Sequence, residues 1–153
     1  MNKLCTAIAL LLMALINTSC LKSGLDDLET YDQNDITNIR FEYRWWDEAN
    51  KQMRVIEMEV DKTIDNENKQ VNCTLKVPAT TANFTEDIRK NVSLSTLSLN
   101  VDVSTAASVI PLDNAPQMGY FPSDFSGKTY KYKVVAANGN AANWTITISD
   151  FQK

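Results

Sequence analysis

The chain of 153 residues contains no histidine. Histidine is the side chain that most often acts as a general base near neutral pH, and it is a ligand in most zinc sites. Its absence excludes the Ser-His-Asp and Cys-His arrangements of nucleophilic catalysis. Chemistry that uses only carboxylates, as in glycoside hydrolysis, stays open, but the sequence context singles out no pair of carboxylates. We therefore expect a protein that is not an enzyme and that holds neither a metal nor a cofactor.

Cysteine is almost as scarce, with three residues in the chain. Cys5 lies in the apolar N-terminal stretch and Cys20 follows that stretch, so Cys73 is the one cysteine in the rest of the sequence. A lone cysteine forms no internal disulfide, and the stability of the fold then has to come from its core. Cys73 is in phase with Val71 and Leu75, which predicts a small buried side chain rather than a nucleophile.

Positive charge is neither in excess nor clustered. The formal net charge is −4, and the basic residues are scattered along the chain. Arg40 and Arg44, for example, occupy alternate positions of a candidate strand, which is typical of a solvated sheet face. A nucleic-acid partner would require a patch of lysine and arginine side chains. We therefore predict that the protein does not bind nucleic acid.

What the sequence does contain is an N-terminal export signal. Lys3 precedes an apolar run at residues 7–16, and small or polar residues then lead to Cys20. The run is too short for a membrane span, which needs about 20 apolar residues, and the layout is that of a secretory signal peptide. The segment resembles the lipobox of bacterial lipoproteins, although Asn17 stands where those proteins usually have leucine. The resemblance implies cleavage before Cys20 and acylation of that cysteine, which would anchor the protein to the membrane.

Three regions follow from this interpretation. Residues 1–19 form the signal peptide, residues 20–34 an acidic flexible tether, and residues 35–153 one folded domain. Acidic residues soon after a lipidated cysteine resemble a surface-export signal in lipoproteins of gut Gram-negative anaerobes. We therefore expect a lipid anchor in the outer membrane at Cys20, with the domain exposed on the cell surface. Retention in the periplasm is the alternative.

The folded part alternates apolar and polar residues, which predicts half-buried β-strands. The clearest run is 39–45, in which Ile39, Phe41, Tyr43 and Trp45 would face the core. Further patterns predict strands at 52–60, 71–77 and 97–103, a helical turn at 84–89 with Thr85 as N-cap, a loop at 108–127, and a hairpin of 130–136 and 144–148 around Asn138-Gly139. Helical periodicity is not sustained after the signal. These elements predict an all-β fold, a single antiparallel β-sandwich.

The terminal hairpin resembles a known family. Residues 130–139 (YKYKVVAANG) and 143–148 (NWTITI) resemble the closing hairpin of immunoglobulin-like domains in surface lipoproteins of Bacteroides-type bacteria, a family of unknown function. Residues 123–128 (SDFSGK) are similar to the stretch that introduces this hairpin, and residues 93–111 to a strand that leads to a short Ile-Pro edge. The resemblance implies an immunoglobulin-like sandwich, often encoded near glycan-uptake machinery. It carries over no catalytic residue.

Two functions are compatible with these features. The first is a non-catalytic binding or accessory module that contacts a glycan in polysaccharide uptake, or another envelope protein. Trp46 falls on the outward side of its strand beside Arg44, and a flat ring flanked by polar groups suits the apolar face of a pyranose. Trp46 and Arg44 are therefore candidate ligand-binding residues, whereas the phases of Trp45 and Trp144 place them in the core. The alternative is a structural subunit of an outer-membrane or pilus-like assembly that pairs through its edge strands.

Overall fold

The computed structural model describes residues 31–153, and the regular secondary structure of this part of the chain consists mainly of strands. The predicted signal peptide, Cys20 and the predicted tether as far as residue 30 lie outside the described residues. The strands are β1 (Ile36–Asp47), β2 (Gln52–Glu57), β3 (Glu59–Asp65), β4 (Gln70–Lys76), β5 (Ser98–Val103), β6 (Ser108–Pro111), β7 (Thr129–Val135) and β8 (Ala141–Gln152). Between β4 and β5 the chain forms helix α1 (Glu86–Lys90) and a 3₁₀ turn (Leu94–Thr96).

The strands form two sheets that enclose one hydrophobic core, so the predicted β-sandwich is confirmed. One sheet has the order β2-β1-β5 and the other the order β3-β4-β8-β7-β6. Strand pairs in residues 31–153 are antiparallel with one exception, because β4 and β8 run parallel. Apolar alternation looks the same whichever way the neighbouring strand runs. The sequence pattern therefore predicted a wholly antiparallel sandwich and missed this pair.

Strand β1 lies at the centre of the three-stranded sheet and follows the predicted alternation. Ile39, Phe41 and Tyr43 are buried, and Trp46 points away from the core with 51% of its surface exposed. The strand is longer than the predicted run, because it begins at Ile36 and ends at Asp47. At about 3.3 Å per residue its 12 residues span roughly 35–40 Å.

The predicted strand at 52–60 is divided between the two sheets at Met58. Its side chain is buried, and its N–H still donates to the carbonyl of Phe41 on β1 over 2.8 Å. The next residue, Glu59, already pairs with Lys76 of β4 in the opposite sheet. The single-strand prediction was wrong because the alternation continues through the crossing without a break. The continuous segment 52–65 therefore supplies an edge strand to both sheets, β2 to one and β3 to the other.

Two further predictions are refined in the second half of the chain. The predicted loop at 108–127 begins with β6, whose Ser108 lies opposite Val135, and this strand matches the short Ile-Pro edge that the family resemblance implies. The terminal hairpin is confirmed, but residues 136–140 form a five-residue turn in which the N–H of Ala136 donates to the carbonyl of Asn140 over 2.7 Å. Only Gly139 in this turn has a positive φ, of 90°.

The chain enters the sandwich at the end where β1 begins. The Trp144 indole Nε1 donates to the carbonyl of Asn34 over 2.9 Å, and Lys69 forms an ion pair with Asp35 at 2.6 Å. The N–H of Asn138 donates to the carbonyl of Tyr31 over 3.2 Å. Residues 31–34, which the sequence assigns to the tether, therefore contact the domain. This end of the sandwich is opposite to the end that carries Trp46.

Candidate functional site

A cleft of about 360 Å³ lies at the end of the sandwich where β1 finishes. One wall is the β1–β2 turn, and the other is the segment that leads into α1. The lining residues are Trp45, Trp46, Asp47, Glu48, Ala49, Asn50, Ala82, Asn83, Thr85 and Ile88. We call this concavity the indole cleft, because two adjacent tryptophans line it.

The two tryptophans have different environments because successive side chains of a strand point to opposite faces. Trp45 is half-buried, stacks on Tyr43 with ring centroids 6.1 Å apart, and lies 5.6 Å from the ring of Phe84. Trp46 is half exposed and lies opposite Met53 of β2. Trp45 is thus held by the core, as its phase predicted, whereas the Trp46 ring is accessible to a ligand.

The β1–β2 turn is held by the carboxylate of Asp47. Its Oδ1 accepts the N–H of Asn50 over 3.1 Å, and its Oδ2 accepts the Asn50 amide over 2.8 Å and the Arg54 Nε over 2.9 Å. The hydrogen bonds from Asn50, together with the Arg54 guanidinium, lower the pKa of Asp47 to about 2. Asp47 therefore stays ionised in neutral and mildly acidic solution and fixes Asn50 at the rim of the cleft.

Asp47 should make the stability of the domain sensitive to acid. Its pKa is lower in the folded state than the ordinary value of 3.8, so it contributes stability above pH 4 that is lost as the pH falls towards 2. We expect Asp47→Asn to be less stable than the wild type at pH 7, with the difference shrinking between pH 4 and pH 2. Urea unfolding across this pH range measures the effect. Glu57→Gln on β2 is the control, and a constant difference between Asp47→Asn and the wild type at all pH values would contradict the prediction.

The opposite wall depends on a single buried aromatic residue. Phe84 is buried in the core, its N–H donates to the hydroxyl of Thr81 over 3.1 Å, and its carbonyl accepts the Thr81 N–H over 2.9 Å. This tight loop leaves the neighbouring residues Asn83 and Thr85 exposed at the cleft. The core contact of Phe84 therefore sets the position of both polar side chains.

Thr85 occupies the predicted N-cap position of α1 but does not act as a cap through its side chain. Its backbone has the extended conformation of a cap residue, yet its hydroxyl makes no capping hydrogen bond. Within the described residues the Asn83 carboxamide likewise has no hydrogen-bond partner. Both groups are free to bind a ligand, and sequence patterning identified neither as a binding residue. The one available signal was Phe84, an isolated aromatic residue in a polar stretch.

Arg44, the second predicted site residue, shares the outward side of β1 with Trp46 but is not part of the cleft. Its Nη2 donates to Glu42 Oε2 over 2.9 Å, and its Nη1 donates to the carbonyl of Gly119 over 3.2 Å. Glu42 and Gly119 thus fix the guanidinium over the middle of the sheet. The cleft instead combines Trp46 with Asn83 and Thr85, which lie more than thirty residues later in the sequence.

The other candidate chemistries receive no support from the described part of the chain. Cys73 is buried, and burial raises the pKa of its thiol to about 11, which is the behaviour of a core residue. In residues 31–153, no three His, Cys, Asp or Glu side chains gather where a metal ion would fit. No helix in this range is long and apolar enough to cross a membrane. The predicted lipidation of Cys20 lies outside the described residues and stays a prediction.

Comparison with known proteins identifies a family and a similar solved structure. The family described as DUF5018-related matches residues 36–147. A crystal structure of a candidate secreted protein from Bacteroides fragilis is similar with a TM-score of 0.70 and 34% sequence identity. The similarity covers 82% of this chain and 100% of that chain. No curated protein matches the sequence.

Proposed function

Because the chain belongs to the DUF5018-related family and is similar to a candidate secreted protein, we propose that it is a cell-envelope module that binds a glycan in the indole cleft without catalysis. The proposal includes acylation of Cys20, an outer-membrane anchor and display of the domain on the cell surface. It also includes kinship with the immunoglobulin-like sandwiches that the terminal hairpin resembles. The secreted relative supports a location outside the cytoplasm.

The observation that supports the proposal is that an exposed indole and two polar side chains without hydrogen-bond partners in the described part of the chain line the same cleft. Trp46 offers a flat apolar surface, which matches the C–H face of a pyranose ring. Asn83 and Thr85 line the same cleft, and their side chains can donate and accept hydrogen bonds. An apolar surface with a few convergent polar groups is the usual composition of a small-ligand site.

The position of the cleft also suits a tethered binding module. The chain enters at residues 31–35, and β1 carries it roughly 35–40 Å to Trp46 at the other end. A domain anchored through Cys20 would therefore hold the cleft on the side that faces away from the membrane. This arrangement leaves the indole cleft open to long polymers outside the cell.

The test is the substitution Trp46→Ala, examined by affinity electrophoresis of the mature protein on a panel of plant and mucosal polysaccharides. Loss of the stacking surface is expected to weaken binding at least tenfold, which corresponds to about 1.4 kcal/mol. Tyr120→Ala is the matched control, because Tyr120 is an exposed aromatic residue outside the cleft. Unchanged retardation of the Trp46 variant, or an equal loss with Tyr120→Ala, would remove the cleft from the binding site.

A second candidate function is assembly with another envelope protein through strand β2. This strand is an edge of the three-stranded sheet, and Met53 and Val55 are 56% and 51% exposed on it. An uncovered edge with apolar side chains can accept a strand from a partner. A protein recovered in stoichiometric amount from native membranes, and lost with Val55→Lys but not with Trp46→Ala, would favour assembly over glycan capture.

A further inference from the structure

We infer that the glycan bound by the indole cleft is uncharged, an inference that rests on the proposed function and names the ligand class of the same site. The ionisable side chains that line the cleft are the carboxylates of Asp47 and Glu48. Lysine and arginine are missing from the set of described residues that line it. An acidic sugar would therefore meet charges of its own sign at the cleft surface.

Four cations near the cleft form ion pairs with these and neighbouring carboxylates. Arg54 bonds Asp47 at 2.9 Å, and Lys51 bonds Glu48 at 2.7 Å. On the opposite side, Arg89 and Lys90 lie 3.9 Å and 3.5 Å from the carboxylates of Glu86 and Asp87. Each of these four cations has a carboxylate partner. The Lys153 ammonium has none within the described residues, but it donates to the carbonyl of Lys90 at the end of α1 over 3.0 Å and does not line the cleft. Proteins that recognise carboxylate or sulfate groups commonly place an arginine or lysine opposite the anion.

The groups left free at the cleft are neutral. The Asn83 carboxamide has two donors and an acceptor, and the Thr85 hydroxyl both donates and accepts. Sugar hydroxyls also donate and accept, so these two side chains complement a neutral pyranose whose C–H face lies on Trp46. The Asp47 carboxylate already accepts three hydrogen bonds, two from Asn50 and one from Arg54. Its role is to hold the turn, and a ligand is not required to neutralise it.

Recognition of this kind has two physical consequences. Neutral contacts are not screened by salt, so affinity should be the same in about 0.05 M and about 0.5 M NaCl. Bridging by calcium would need a group of oxygen ligands, and the described part of the chain gathers no such group of acidic side chains. Binding should therefore also persist in EDTA.

The experiment compares neutral with acidic polymers on the mature full-length protein. The neutral probes are a galactomannan and a mixed-linkage β-glucan, and the acidic probes are polygalacturonate and chondroitin sulfate. We expect retardation by at least one neutral polymer, unaffected by salt or EDTA, and no retardation by the acidic ones. Trp46→Ala should lower the affinity at least tenfold, and Asn83→Ala should lower it about threefold to tenfold, as loss of a hydrogen bond predicts.

The outcomes separate this inference from the proposed function. Trp46-dependent binding of an acidic polymer, or binding that falls steeply with salt, would overturn the neutral-ligand inference and leave the glycan-binding proposal standing. If no polymer binds, or binding does not depend on Trp46, both the function and the inference fall. Trp46-dependent, salt-independent binding of a neutral polymer alone supports both.

Discussion

Trp144→Ala is expected to lower the free energy of unfolding by about 3–5 kcal/mol, as for other large aromatic residues in a core. Trp144 is fully buried between the sheets. Its indole N–H also holds the carbonyl of Asn34, and the Lys69 ammonium lies 5.3 Å from the centre of the ring. The substitution would leave a cavity in the core and would also free the segment through which the chain enters. Domains of this size have a total stability of about 5–15 kcal/mol, so the loss is a large fraction of it.

Urea unfolding of the variant and the wild type measures this loss. Trp144→Phe keeps most of the apolar volume and removes the bond to Asn34, so its cost should be smaller than that of alanine. Trp46→Ala is the matched control, because it removes the same side chain from an exposed position and should cost less than about 1 kcal/mol. Equal destabilisation by Trp46→Ala and Trp144→Ala would show that the burial of Trp144 has been misjudged.

Phe84→Ala is the second change with a large expected effect, again about 3–5 kcal/mol. Phe84 is buried against Trp45, and it is the one fully buried residue of the segment that carries Asn83 and Thr85. Truncation removes the contact that holds this wall against the sandwich. We therefore expect glycan binding to be lost together with stability, even under conditions in which the variant stays folded.

Unfolding curves and affinity electrophoresis of the same samples test this link. Asn83→Ala is the matched control, because it lies next to Phe84, is exposed, and should leave stability within about 0.5 kcal/mol of the wild type. Phe84→Leu, which refills part of the volume, should recover part of both properties. Full ligand affinity in a folded but destabilised Phe84→Ala protein would show that the wall does not depend on this anchor.

The sequence predicted which side chains of a single strand face the core. A strand with one buried and one solvated face alternates apolar and polar residues, and this alternation is visible in the sequence. Ile39, Phe41 and Tyr43 are buried as predicted, and Trp46 is exposed as predicted. The burial of Trp144 follows from the same rule. Each of these residues obeys a pattern that extends over only a few neighbours, and such local patterns are what a single sequence records.

The pairing of strands was less predictable, because it depends on contacts between residues that are distant in the chain. Met58 continues the alternation of its strand while the backbone changes partner from β1 to β4. Strand β8 lies beside β4 and runs parallel to it, and no feature of either segment predicts this pairing. Turn chemistry placed the hairpin at Asn138-Gly139, although the turn proved longer than two residues.

Of the two residues that the sequence proposes for ligand binding, Trp46 lines the candidate cleft and Arg44 does not. Trp46 was identified from its parity, but Arg44 was assigned to the site because it shares that face. The structure shows the Arg44 guanidinium bound to Glu42 and Gly119 instead. Asn83 and Thr85 were missed because their segment has no periodic pattern and is positioned by the core contact of Phe84. The cleft forms between two loops that are distant in the sequence. Its shape depends on how they pack together, which no short stretch of sequence predicts.

The central place of β1 has a mechanical consequence. The chain enters at one end of this strand and the candidate binding cleft lies at the other, so a pull on a held polymer would be carried along its length. Strands β2 and β5 flank β1 on both sides, and their hydrogen bonds run perpendicular to it. Tension along β1 would therefore load these bonds together in shear rather than one after another. Under the proposed function, the domain would transmit force between the membrane to which it is anchored and a bound polymer.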